Sequence, residues 1–106
     1  MEITTRTVGS TLIIAVDGQL TGPRSIQVNR IVEKARSDQC KKVALDMSRV
    51  SLLDSVGLGG LIYCQQVLQK VSKSFIVCAV PQHIQELLDG FGFGRILSIA
   101  DAVPES

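Results

Sequence analysis

Apolar and polar positions along the chain divide it into strand-like and helix-like segments. Residues 2–8 and 11–17, within EITTRTVGSTLIIAVDG, predict two strands joined by a tight hairpin turn at Gly9-Ser10. KKVALDMSRV predicts a third strand over about residues 42–47, followed by a turn. The apolar run in SFIVCAV is typical of a buried strand, and RILSI predicts a last short strand or a helical turn.

Three other segments show the helical spacing of apolar residues. In the first, which opens at Gly22-Pro23, the apolar positions are Val28, Ile31, Val32 and Ala35. In the second, from Gly57 onward, one face carries Leu61, Cys64, Leu68 and Val71. In the third, opened by Pro81 and ended by the glycines of DGFGFG, the inner face carries Ile84, Leu87, Leu88 and Phe91.

Strands and helices alternate along the chain, and this order predicts an α/β fold with right-handed crossovers. We expect a small mixed β-sheet of four to five strands with about three to four helices packed on it. The 106 residues contain no repeat, low-complexity tract or linker, so residues 1–106 are predicted to form a single domain. Apolar residues make up 45% of the chain, a globular fraction that argues against disorder.

Charge and cysteine content narrow the function classes. The formal net charge is +1, and the 11 basic and 10 acidic side chains are interspersed, which argues against a nucleic-acid partner. The sequence shows neither a signal-peptide pattern nor an apolar stretch of about 18 residues that would span a membrane. Cys40, Cys64 and Cys78 lack metal-ligand spacing, and Cys64 and Cys78 lie in apolar patterns as small hydrophobes. We therefore expect a reduced, cytoplasmic domain without a metal or cofactor.

The junction LLDSVGLGGL, residues 52–61, combines an acid, a hydroxyl and three glycines at the start of the second helix. Asp54 or Ser55 is in N-cap position, where a side-chain oxygen accepts a hydrogen bond from the first amides of the helix. Each glycine costs a helix about 0.5–1 kcal/mol relative to alanine, so something offsets that cost. The glycines either leave room for a partner surface or allow the helix to pack closely on the sheet.

Catalytic and phosphate-loop interpretations of this junction have little support. GLGG lacks the lysine and spacing of a Walker loop and the spacing of a dinucleotide fingerprint. His83, the one histidine, lies off the apolar face of its helix and is expected at the surface. Ser55 has no base positioned by the sequence, so it is not an activated nucleophile, and no catalytic residue is expected. Ser48 and Ser51 are expected to form hydrogen bonds in a loop.

Several segments together resemble one family. LLDSVGLGGL closely resembles the D-S-x-G-L-G-x-L segment of STAS domains, in particular those of bacterial anti-sigma factor antagonists. DGQL is similar to the turn after the family's second strand, and VALDMSRVSLLDS is similar to its strand-to-loop segment. VCAVPQHIQELLDGFGFGRIL resembles the family's closing strand, helix and glycine-apolar element. The resemblance covers nearly the whole chain, at the length of a free-standing antagonist; transporter STAS domains are usually fused to a membrane part.

The resemblance implies a phosphorylation switch. In that family the unmodified antagonist binds an anti-sigma factor, a serine kinase of the histidine-kinase-like ATP fold, and thereby releases the sigma factor. The kinase inactivates the antagonist by phosphorylating the serine after the Asp, and a metal-dependent serine phosphatase restores it. Carried over to this sequence, Ser55 is the phosphoacceptor and Asp54 its acidic neighbour. Gly57, Leu58 and Gly59 form the partner-facing start of the helix.

Two positions depart from the family pattern. Thr21, in GQLTGP, stands where many members carry an Asp near the phosphorylated serine, so no acidic contribution is expected there. Val56 stands where the family often has a second hydroxyl, which leaves Ser55 as the only acceptor in the motif. The predicted partner-binding residues are Thr21, Asp54, Ser55, Val56, Gly57, Leu58 and Gly59. We further hypothesise that Tyr63 and Gln66, off the apolar face of the second helix, contribute to the partner surface.

Two alternatives to the antagonist remain open at the level of sequence. One is a STAS module in a multi-subunit scaffold or transport complex, in which the junction only caps a helix. The other is an enzyme or small-ligand binder that uses GLGG. Replacing Ser55 by alanine separates the first alternative from a switch, and nucleotide binding by the isolated chain tests the second.

Overall fold

The computed structural model describes residues 2–104, and its elements confirm the α/β prediction. The strands are β1 Glu2–Val8, β2 Thr11–Leu20, β3 Lys42–Leu53, β4 Ser74–Cys78 and β5 Ser98–Ala100. The helices are α1 Gly22–Ala35, α2 Ser55–Gln69 and α3 Gln82–Gly90, with a one-turn 3₁₀ helix at Phe93–Arg95 before β5. RILSI therefore contains the end of that turn and a short strand.

The five strands form one mixed sheet in the order β1-β2-β3-β4-β5. β1 and β2 pair antiparallel as the predicted hairpin, and Gly9 adopts φ 60° at the turn, which glycine tolerates best. The other three pairs, β2 with β3, β3 with β4 and β4 with β5, are parallel. The carboxyl ends of β2 and β3 consequently meet at the same edge of the sheet, where α1 and α2 begin.

The helices of the described chain pack on one face of the sheet. The main hydrophobic core lies between the helices and the sheet. It contains the sheet residues Ile14, Val16, Val43, Leu45 and Val77 and the helix residues Val28, Val32, Leu61, Leu68, Ile84 and Leu88. Removing these side chains from water is the main stabilising contribution to the fold. A smaller cluster of Ile13, Ala44 and Cys78 lies on the opposite face of the sheet, where Val103 packs against it.

The third strand is longer than the apolar pattern predicted. β3 continues to Leu53, so Ser48 and Ser51 lie in a strand, and their prediction as loop residues is wrong. The pairing of β2 with β3 shifts register between Ala15 and Asp17 and again between Gly18 and Gln19. Such irregularities disrupt the alternation of buried and exposed residues, which is the signal that sequence reasoning uses.

Two apolar residues that were assigned to helix faces lie outside the helices. α2 ends at Gln69, and Val71 is 42% exposed; α3 ends at Gly90, and Phe91 is 63% exposed. In both places the helical spacing of apolar residues continues past the residue where the backbone leaves the helix. Pro81 is the N-cap residue of α3, in agreement with the prediction that it opens this helix.

Candidate functional site

The N-termini of α1 and α2 lie side by side at the edge of the sheet. Leu20 and Leu53 are register partners at the ends of β2 and β3. The next residue in each chain segment, Thr21 or Asp54, is the N-cap of the helix that follows. The sheet register thus brings Thr21 and Asp54, two of the predicted partner-binding residues, to the same edge of the sheet.

Asp54 caps α2. Its Oδ1 atom accepts a hydrogen bond of 2.8 Å from the backbone N–H of Gly57, and its backbone is extended, with φ −102° and ψ −174°. The Asp54 carbonyl oxygen accepts the 2.9 Å bond from the Leu58 N–H that begins the helix. Of the two cap candidates, Asp54 occupies the position and Ser55 does not, because Ser55 is already the first helical residue.

Ser55 is exposed at the start of α2. Within residues 2–104, no other residue forms a hydrogen bond with the Ser55 hydroxyl. The hydroxyl is therefore neither activated by a neighbouring base nor held by an acceptor. His83 is exposed as expected, and its Nε2 atom lies 3.0 Å from the Ser51 carbonyl oxygen. The N–H groups of the first helical turn lack intrahelical partners and point towards this end of the helix. Ser55 is therefore accessible to another protein, and a phosphate placed on it would meet those donors.

The three glycines of the junction have two different roles. A Cβ atom at Gly57 would overlap the Leu20 carbonyl oxygen and lie 2.5 Å from Leu53 Cδ1. A Cβ atom at Gly60 would overlap Ser25 Oγ on α1. Gly57 and Gly60 are buried and let α2 pack closely on the sheet and on α1. A Cβ atom at Gly59, by contrast, would have no neighbour within 4 Å, and Gly59 is exposed.

This difference bears on one expectation about the site. Gly57 was expected to face a partner, and the structure buries it against Leu20 and Leu53. It shapes the site by letting α2 start close to the sheet. The close-packing explanation of the glycines holds for Gly57 and Gly60, and only Gly59 leaves its surface open.

The other predicted residues surround Ser55 at different depths. Val56 is about half exposed, Leu58 packs partly against the core, and Thr21 is partly exposed in an extended conformation. The Thr21 hydroxyl does not cap α1. Tyr63 and Gln66 are exposed further along α2, as their position off the apolar face predicted.

Sequence reasoning missed the contribution of α1. Ser25 is buried, and its hydroxyl donates a 3.3 Å hydrogen bond to the Val56 carbonyl oxygen, which ties α1 to the first turn of α2. The neighbouring Ile26 side chain is about half exposed. The sequence signal for it was that Ile26 is apolar but lies outside the helical pattern of residues 28, 31, 32 and 35.

The buried cysteines behave as core residues. Burial, assisted by the charge of Glu33, raises the pKa of Cys64 to about 12, and its Sγ atom lies 3.3 Å from Asn29 Oδ1. Burial and the charge of Asp46 raise the pKa of the Cys78 thiol as well. Both thiols stay protonated and shielded near neutral pH, which confirms their expected role as small hydrophobes.

Comparison with known proteins identifies the family. The family model of the STAS domain matches residues 2–106, and the chain belongs to this family. The chain is 28% identical over 91 residues to the anti-sigma F factor antagonist of Paenibacillus polymyxa, covering 85% of this chain and 78% of that protein. The resemblance inferred from LLDSVGLGGL and its flanking segments is confirmed.

Solved structures show the same fold. A putative anti-sigma factor antagonist from Thermotoga maritima superposes with a TM-score of 0.86 at 18% identity, covering 95% of this chain and 87% of that one. The antagonist SpoIIAA in its unphosphorylated form gives a TM-score of 0.77 at 20% identity, covering 96% and 90%.

The fold also occurs in membrane transporters. The murine anion transporter Slc26a9 matches with a TM-score of 0.76 at 15% identity, covering 92% of this chain and 17% of that one. Within residues 2–104, the helices are too short or too polar to cross a bilayer. The fold alone therefore does not separate antagonists from transporter modules, and the function has to be argued from the site.

Proposed function

We propose that this chain is a bacterial, cytoplasmic anti-sigma factor antagonist that is controlled by phosphorylation of Ser55. The unphosphorylated chain binds an anti-sigma factor that is a serine kinase, and the sigma factor is released. Phosphorylation of Ser55 by that kinase ends the binding, and a serine phosphatase restores it. The observation that carries the proposal is the exposed Ser55 hydroxyl at the first helical position after the Asp54 cap. Residues 1–106 act as one binding domain, without a catalytic residue or cofactor of their own.

The position of Ser55 suits a reversible phosphate. A phosphoserine carries about −1.5 to −2 charges near neutral pH. At a helix N-terminus this charge meets unpaired N–H groups and the positive end of the helix dipole, which stabilise it. Asp54 Oδ1 already binds the Gly57 N–H and adds one negative charge beside the phosphate. These features support a switch that changes the surface charge and leaves the fold intact.

The same charge explains the loss of binding. A doubly charged group next to the Asp54 carboxylate is hard to remove from water when a partner covers it. Losing interface contacts that contribute about 2–3 kcal/mol weakens binding roughly 30- to 150-fold. The proposed partner-binding residues are Thr21, Asp54, Ser55, Val56, Leu58 and Gly59, with Gly57 acting through its packing. Val56 leaves a single hydroxyl in the motif, so one phosphorylation event sets the state.

A second candidate function is a STAS module in a scaffold or transport complex that has no switch. The similar fold of a module within Slc26a9 favours it, since that fold serves a transporter. In that function Asp54 and Ser55 only begin a helix.

The first test is the intact mass of the protein recovered from its own cells, with fragmentation to locate an added phosphoryl group. We expect the phosphoryl group on Ser55. Only unmodified protein under all growth and stress conditions would favour the scaffold function.

A binding experiment then tests the switch itself. Ser55→Ala should bind the anti-sigma kinase as the unmodified protein does, but ATP should no longer release it. Ser51→Ala is the matched control, because Ser51 is also exposed and lies four residues earlier, outside the helix. Release of Ser55→Ala by ATP would contradict the proposal.

A further inference from the structure

β1 forms an open edge of the sheet. It is the first strand in the order β1-β2-β3-β4-β5, so within residues 2–104 one of its sides pairs with β2 and the other has no strand beside it. Edge strands are usually kept from pairing with another chain by shortness, proline or a bulge. β5, at the other edge, is three residues long. β1 is seven residues long, contains no proline and pairs with β2 without a register shift.

The outward backbone groups of β1 belong to its odd-numbered residues. Val8 and Thr11 flank the two-residue hairpin turn and therefore form a hydrogen-bonded pair. Because hydrogen-bonded and non-hydrogen-bonded pairs alternate along an antiparallel ladder, the even-numbered residues of β1 bond to β2. The N–H and C=O groups of Ile3, Thr5 and Thr7 point away from β2. None of the backbone–backbone hydrogen bonds that residues 2–104 form outside the sheet uses these groups, so a further strand could bind them.

No helix covers β1 on the face of the sheet that carries α1 and α2. Ile3 packs partly against the main core and therefore lies on that face, as do Thr5 and Thr7, two positions further along in each case. Thr5 and Thr7 are exposed. The β1 edge is therefore open to another strand on this face as well as along its backbone.

The two charged residues of β1 lack an opposite charge in the described chain. Glu2 lies across the ladder from Asp17, a like charge, and Asp17 Oδ2 is 3.7 Å from Arg49 Nη1. Arg6 lies across from Ile13. Within residues 2–104, neither Glu2 nor Arg6 forms an ion pair. Like charges directly opposite each other are destabilising, so a cation on the open side of Glu2 would offset a cost.

We propose that β1 pairs with β1 of a second copy of this chain, antiparallel and centred on Thr4. In this register Glu2 of each copy lies opposite Arg6 of the other, and the two-fold axis creates two such ion pairs. Ile3 of each copy lies opposite Thr5 of the other, and their outward backbone groups exchange hydrogen bonds. The strand is thus complementary to itself in both charge and backbone pattern, and the two sheets continue into one.

This dimer leaves Ser55 accessible. β2 separates β1 from β3, and Ser55 begins the helix that follows β3. Each dimer therefore presents two copies of Ser55, and the inference does not depend on the proposed function.

Sedimentation equilibrium of the purified chain tests the dimer. We expect the wild type to dimerise as its concentration rises. Arg6→Glu places like charges opposite each other twice and should weaken the dimer on the order of tenfold, whereas Glu2→Arg combined with Arg6→Glu should restore it. Arg95→Glu makes the same charge change at an exposed residue before β5 and is the control. A monomer at every concentration up to about 1 mM, or equal effects of Arg6→Glu and Arg95→Glu, would overturn the proposal.

Cysteine cross-linking tests the register. The two Thr4 residues lie opposite each other in a non-hydrogen-bonded pair, at a separation that suits a disulfide. Thr4→Cys should therefore give a disulfide-linked dimer under oxidising conditions, read from the intact mass. The two Thr7 residues would lie about 20 Å apart, so Thr7→Cys is the matched control. The wild type controls for Cys40, which is partly exposed. Equal linkage of Thr4→Cys and Thr7→Cys would overturn this register.

Thr5→Pro tests the use of the β1 edge. It removes an outward N–H that the pairing of β1 with β2 does not use, so the monomer should stay folded while the dimer is lost. Urea denaturation checks the fold, and sedimentation measures the dimer. A folded Thr5→Pro chain that dimerises as the wild type does would show that another surface forms the dimer.

Discussion

Gly57 and Gly59 stand two residues apart in α2, and substitutions there should change stability in opposite directions. A Cβ atom at Gly57 would overlap the backbone oxygen of Leu20, which belongs to a buried strand and cannot move aside as a flexible side chain does. We expect Gly57→Ala to lower the free energy of unfolding by about 1–3 kcal/mol or more. Gly59→Ala is the matched control and should raise it by roughly 0.5–1 kcal/mol. Urea denaturation measures both, and equal effects would contradict this geometry.

Cys64 should make the protein less stable at alkaline pH. Burial raises the pKa of this thiol from 9.0 to about 12 in the folded chain. Between these two values the unfolded chain has lost the thiol proton and the folded chain has kept it. The free energy of unfolding therefore falls as pH rises through this range, by up to about 1.4 kcal/mol per pH unit. Below pH 9 the contribution is fully present.

The measurement compares the pH dependence of urea denaturation for the wild type and for Cys64→Ala. All other ionisable groups are the same in both chains, so their contributions cancel in the difference. We expect the alkaline loss of stability to be smaller in Cys64→Ala, with part of it remaining because the pKa of Cys78 is also raised. Parallel pH profiles would show that the Cys64 thiol ionises equally in both states.

At the scale of elements, the packing of α1 on α2 depends on a small contact between Gly60 and Ser25. A Cβ atom at Gly60 would overlap Ser25 Oγ, which also donates a hydrogen bond to the Val56 carbonyl oxygen. We expect Gly60→Ala to lower the free energy of unfolding. The same substitution should lower it less in a Ser25→Ala background, because the clashing oxygen is absent there. A double-mutant cycle should give a coupling energy of about 0.5–3 kcal/mol. Additive effects would mean that the two helices adjust independently.

The sequence predicted the elements better than their ends. The hairpin at Gly9 and the buried faces of α1 and α2 have strong local signals, namely a turn residue and the repeated spacing of apolar residues. The end of β3 lacks such a signal, since the register shifts against β2 near Asp17 and Gly18 depend on the neighbouring strand. Phe91 continues the apolar spacing of α3, but the chain has left the helix there and Gly92 turns it with φ 74°.

The sequence likewise predicted only part of the candidate site, because neighbouring segments decide the rest. Asp54 and Ser55 are both good cap residues, so composition left the choice open, and the end of β3 at Leu53 decides it in favour of Asp54. Gly57 and Gly60 differ from Gly59 because they contact Leu20 and Ser25, respectively. Each of these partners is more than 30 residues away in the sequence, so the motif alone does not separate the three roles.

At the scale of the whole molecule, the sheet and its helices form a platform that supports Ser55 at one edge. The core lies beneath α1, α2 and α3, and Ser55 itself is exposed at the first position of α2. Added charge there does not enter the core, so its effect on folding is limited to the helix end. The proposed switch therefore requires that phosphorylation change affinity much more than stability.

Phosphorylated Ser55 provides the last prediction. The helix dipole and the unpaired N–H groups favour the phosphate by about 0.3–1 kcal/mol, while repulsion from Asp54 opposes it, so the free energy of unfolding should change by about 1 kcal/mol or less. Affinity for the anti-sigma kinase should fall roughly 30-fold or more. Urea denaturation and calorimetric binding of the phosphorylated chain measure the two quantities, with Ser51→Asp as a control that adds charge outside the helix. A large loss of stability on phosphorylation would instead mean that the switch works by unfolding the start of α2.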